Sequence, residues 1–126
     1  MAISQMVERA STYELENTDI LEFCEQANCS IPEFCNQFAL YIANEYSERR
    51  LSFEYCDLAM NYLNTYMVCD LVIADGEWLP EPAYSIYIAF DAGEFVHQGD
   101  DVDTNSPEKY TRPLIDEIIA ECKIPK

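Results

Sequence analysis

The chain runs to 126 residues, and its 24 Asp and Glu against seven Lys and Arg give a formal net charge of −17. A field of that sign repels nucleic-acid phosphates and anionic bilayers, so neither is expected as a partner. Disorder is unlike this composition too, because 49% of the residues are apolar and nine Tyr and six Phe can build a core.

The length suits one domain over residues 1–126, and the three glycines (Gly76, Gly93, Gly99) are few for the turns of a β fold. Helix is therefore the expected element. In TDILEFCEQAN, residues 18–28, Ile20, Phe23, Cys24 and Ala27 fall on one stripe, with Asn17 or Thr18 as N-cap. A second helix is predicted over about residues 31–48. Ser30 caps it, Pro32 lies in its first turn, and Glu33 completes a capping box. Its stripe is Phe34, Phe38, Tyr41, Ile42 and Tyr46.

Ser52 caps a third helix predicted over about residues 53–74. Its face carries Tyr55, Leu58, Ala59, Tyr62, Tyr66, Cys69, Val72 and Ile73. The second half, MVCDLVIA, is apolar on nearly every side and reads either as a buried helix or as a handover to a strand near Tyr66. GEWLPEP is loop. AYSIYIAF, residues 83–90, alternates as a strand would, but no partner strand is visible and Pro82 suits a first turn, so helix is favoured. The polar run VHQGDDVDTNSPE is loop. A final helix is predicted from Ser106, bending at Pro113 and carrying Leu114, Ile115, Ile118, Ile119 and Cys122. The fold class is all-α, a bundle of about five helices. A small sheet using AYSIYIAF would make it α+β.

Six cysteines stand at positions 24, 29, 35, 56, 69 and 122, without a CxxC pair or zinc-ribbon spacing. The first ten residues, MAISQMVERA, contain no signal-peptide core, and no run of about 18 apolar residues suggests a membrane span. A cytoplasmic protein with reduced thiols, mostly buried as small hydrophobes, is the expectation.

No reaction is written in the motifs. Nucleotide-binding glycine loops cannot be composed from these three glycines, and no serine elbow or triad order surrounds His97, the only histidine. Asp91, Glu94 and His97 share a face at helical spacing, which raises a metal-dependent reading, but Asp100, Asp101 and Asp103 lack the glycine and terminal Glu of an EF-hand loop. Catalytic residues, metal ligands and cofactors are therefore not assigned. Lys109 and Arg112, the only bases between Arg50 and Lys123, are expected to pair with nearby acids.

An acidic docking patch needs no special geometry. The partner-binding residues expected are Glu77, Trp78, Glu81, Asp91, Glu94, Asp100, Asp101 and Asp103, with Trp78 as the aromatic anchor. In size, acidity and lack of catalytic motifs, the chain resembles the bacterial immunity proteins that accompany polymorphic or contact-dependent inhibition toxins. That resemblance implies a cognate toxin domain, often a basic nuclease, that is bound and neutralised. Two other readings stand beside it: a metal-dependent enzyme or metal-binding protein using Asp91, Glu94 and His97, and a mobile-element protein that imitates nucleic-acid charge.

Overall fold

A computed structural model of the chain describes residues 1–72 and 79–123, and these are all-α, with no strand among them. Six α-helices follow in order: α1 Ile3–Ser11, α2 Asn17–Ala27, α3 Ile31–Ser47, α4 Phe53–Tyr66, α5 Ala83–Ala92 and α6 Arg112–Lys123. A π-helical stretch, Met67–Val72, extends α4, and another, Pro107–Thr111, leads into α6. None of these helices is long and apolar enough to cross a membrane.

Local chemistry sets the helix starts. The Ser30 hydroxyl accepts from Glu33 N–H at 3.2 Å while the Glu33 carboxylate accepts from Ser30 N–H at 3.2 Å, so two otherwise orphaned donors are satisfied at the head of α3. Ser52 does half as much for α4, accepting from Tyr55 N–H. The α2 helix begins at Asn17, capped from Glu16 rather than from Asn17 or Thr18, because Asp19 reaches back to Glu16 N–H at 3.0 Å. Asn28, in the left-handed conformation, ends it.

The amphipathic α1 was not expected from the sequence. It buries only Met6, Val7 and Ala10, one short stripe on a polar nine-residue helix. Isolated, such a helix is marginal, and tertiary packing against α4 and α3 supplies its stability. Residues 83–90 are helical, with Ala83, Ile86, Ala89 and Phe90 buried.

The face of α4 differs from the expected one. The buried positions are Cys56, Ala59, Met60, Leu63 and Tyr66, whereas Leu58 is solvent-exposed and Tyr55 and Tyr62 border the stripe. The Tyr62 ring lies at the border because its hydroxyl donates to the Leu15 carbonyl at 2.5 Å, and Tyr66, buried in the stripe, donates to Asn17 Oδ1 at 3.3 Å, so each polar end finds a partner. Beyond Met67 the π geometry turns Val68 and Cys69 outward. Ile73 lies outside the described residues. The thiols divide accordingly: Cys24, Cys35 and Cys56 are buried, Cys29 is half-buried, and Cys69 and Cys122 are exposed, all six without a disulfide. Burial pushes the Cys35 and Cys56 thiols up to about 12.

Aromatic edges hold the core. Phe34 meets Phe23 and Phe38 at 5.5 and 5.8 Å, and Tyr46 meets Phe90 at 5.2 Å, each edge-to-face. Phe90 lies in α5, which also takes a close approach from the π-helical stretch leading into α6. Thr111, fully buried, donates to the Ala89 carbonyl at 2.7 Å. Gly93 leaves the room for it: a Cβ there would lie 2.1 Å from Thr111 Oγ1 and 3.1 Å from the Pro107 backbone. Gly93→Ala should therefore destabilise by about 1–3 kcal/mol, the usual cost of overpacking, measured by urea denaturation with the slope unchanged.

Candidate protein-binding surface

The expected partner residues that the structure describes have different settings. Glu77 and Trp78 lie outside the described residues. Glu81 precedes α5, and its carboxylate accepts from the Ser85 hydroxyl one turn later. Asp101 and Asp103 are exposed in the loop between α5 and α6, as Glu81 and Glu94 are at either end of α5.

Asp100 has the opposite placement. Its carboxylate is 5% exposed and accepts from the Lys109 ammonium and the Tyr110 hydroxyl, and from His97 N–H at 3.3 Å. Those donors, Lys109 foremost and Tyr110 next, hold its carboxyl below the ordinary range. Asp100 thus ties the acidic loop to the start of the final helix rather than facing outward.

His97 belongs to the same knot. Its Nε2 lies 2.7 Å from the Ala92 carbonyl, and its ring is packed between Phe95 at 4.8 Å and Tyr110 at 3.9 Å. The shared face proposed for Asp91, Glu94 and His97 is therefore not formed, because α5 ends at Ala92 and the chain has turned before His97. Among the described residues, no three His, Cys, Asp or Glu converge as metal ligands.

Asp91 and Glu94 instead meet a residue that spacing could not bring near them. Asp57, on α4, lies within hydrogen-bonding reach of Glu94, with Asp91 close by, and Asn61 donates to Glu94 Oε1 at 3.4 Å. Asp57 Oδ1 is sealed from solvent with no donor against it. Burial first, then the Glu94 contact and the Asp91 charge, pushes the Asp57 carboxyl up to about 8. A carboxyl so raised keeps its proton at neutral pH, and that proton belongs to Asp57.

The basic side chains are all occupied. Arg9 pairs with Asp19, Arg49 with Glu108, Arg50 with Glu45, Lys109 with Asp100 and Arg112 with Glu108. These are the only Lys and Arg whose side chains the structure describes. Arg112 is the best anchored: Nε donates to both Glu108 oxygens at 2.9 and 3.0 Å, its NH1 donates to the Tyr46 carbonyl at 3.3 Å, and its guanidinium lies 4.4 Å over the Tyr46 ring. Lys109 and Arg112 thus pair internally, as their position after the acidic loop implied.

No protein-family model, no curated protein and no solved structure matches the chain.

The proton on Asp57 carries a pH signature. A carboxyl whose folded pKa is raised contributes stability that is full below its unfolded value near ~4 and is lost as pH rises through about 8. Asp57→Asn should raise the melting temperature at pH 8 and leave it nearly unchanged at pH 4, so the difference between variant and parent grows with pH. Thermal melts at intervals from pH 4 to 9 measure it, and a difference independent of pH would refute the raised Asp57 carboxyl.

Proposed function

We propose that this protein binds a basic protein partner and, as an immunity protein does, neutralises a toxin domain with it. The observation that supports this reading is the disposition of charge. Each described base is committed to an acid of the same chain, and these pairs engage only Asp19, Glu45, Asp100 and Glu108. Acids such as Glu81, Glu94, Asp101 and Asp103 are exposed and in none of those pairs. A surface with its bases so committed attracts a cationic protein and repels anionic ones, and the sum of its long-range field accelerates encounter roughly 10- to 10³-fold.

Cytoplasmic residence and a toxin as the partner rest on the whole-chain resemblance in size and acidity. Trp78, followed by Leu79 and Pro80, is the aromatic anchor in this reading.

The experiment is capture of the partner from the native cell lysate, then kinetics on the purified pair. The association rate should fall steeply with salt while dissociation changes less. Asp101→Asn with Asp103→Asn should lower the association rate and flatten its salt dependence without lowering the melting temperature. Asp100→Asn should lower the melting temperature instead. The captured protein should arrest growth when expressed alone and be harmless beside this chain. An acidic partner, or association indifferent to salt, would sink the reading.

A further inference from the structure

The acids above attract but do not select, and selection needs a shaped surface. Between α5 and α6 lies an open groove of about 320 Å³. Its walls are apolar: Tyr84 and Ile88 on one side, Leu114 and Ile118 on the other, with Ala89 as the small floor residue. Ile88 and Leu114 are 42% and 39% exposed, high for branched aliphatic side chains facing one another across a cleft. Charge on the margins is of one sign. Glu117 and Glu121, one turn apart, border the α6 side, and Glu81 reaches the opposite margin through Ser85. Among the described residues, no basic side chain lines the groove.

From this we infer that the α5–α6 groove is the docking site for a basic amphipathic helix of the partner. The inference rests on the basic-partner reading and names its contact surface. Apolar side chains at three- and four-residue spacing fill the space over Ala89, and lysines or arginines flanking them reach Glu81, Glu117 and Glu121. Helix rather than strand follows from the walls. Two helical ridges present side chains at one-turn intervals, matching a third helix laid alongside, and the described residues offer no sheet edge for strand addition. Two acids one turn apart on Glu117 and Glu121 likewise match bases one turn apart. A second copy of this chain is the wrong occupant, because its own groove would bring the same carboxylates against these, on a body carrying −17.

The probes are two fluorescein-labelled peptides of one composition, leucine, lysine and alanine, each roughly 18 residues and long enough to form a helix. One places its leucines on a single helical face, and the other scatters them. Anisotropy titration with the full chain should show the amphipathic peptide binding about tenfold or more tighter than the scattered one. Amide shifts on binding should concentrate at residues 84–89 and 114–121. Ile88→Ser with Leu114→Ser, both at exposed positions, should retain the circular dichroism of the parent and lose about tenfold in affinity. Glu117→Gln with Glu121→Gln should weaken binding most at low salt.

Equal affinity for the two peptides, shifts centred on the 100–103 loop, or undiminished binding by the serine variant would each overturn the groove while leaving the basic-partner reading standing. Failure of both peptides and of polylysine to bind at low salt would remove that reading itself. Sedimentation showing a dimer of the parent that the serine variant abolishes would assign the groove to self-association and overturn the inference.

Discussion

Everything on the α5–α6 side of the molecule depends on a contact that tolerates no added atom. Thr111 enters beside Gly93 and donates to the Ala89 carbonyl, where Phe53 and the Pro107 backbone also crowd. The missing side chain at position 93 sets how near the last helix lies to α5. Ala89 is therefore used twice, its carbonyl receiving Thr111 and its methyl group lying at the bottom of the cleft between the two helices. A looser joint would widen that cleft, and a tighter one would close it. The hydroxyl also satisfies itself by this bond, since a buried and unpaired Thr111 would be costly.

Arg112 fastens the other flank. Its guanidinium accommodates Glu108 on its own segment and the carbonyls at the end of α3, while its face covers the Tyr46 ring. The C-terminal carbonyls of a helix are partly negative and favour a cation nearby. One of the few bases in a very acidic chain is thus used to join helix ends. That base is withdrawn from the surface by its own packing, so here internal architecture and external electrostatics have a common origin.

Much of this was legible in the sequence because the signals were local. Ser30 and Glu33, three residues apart, announced α3, and Pro82 before an apolar run announced α5 over the competing strand pattern. What was not legible depended on distance along the chain. Helix α1 has too short a stripe to stand out, and its burial comes from α4. The stripe of α4 was read through its tyrosines, whereas Tyr55 and Tyr62 lie at its margin, Tyr62 with its hydroxyl on the Leu15 carbonyl. Asp57 could not be grouped with Glu94 from spacing, since their helices meet only in the fold. His97 looked like a continuation of the Asp91–Glu94 face until the helix ended at Ala92. Glu117 and Glu121 drew no notice in the sequence, and only the facing wall from α5 gives them a setting.

The partition of the thiols has a practical corollary. Cys24, Cys35 and Cys56 are enclosed and reluctant to ionise, whereas Cys69 and Cys122 face solvent. Nucleophilic attack requires the thiolate and access to it, so a brief maleimide treatment of the folded protein discriminates between the two sets. Once Cys69 is replaced by serine, Cys122 becomes the principal point of attachment. It stands one residue beyond Glu121 on the same helix but is not one of the residues lining the cleft, so a fluorophore there marks α6 while every residue that lines the cleft stays as it is.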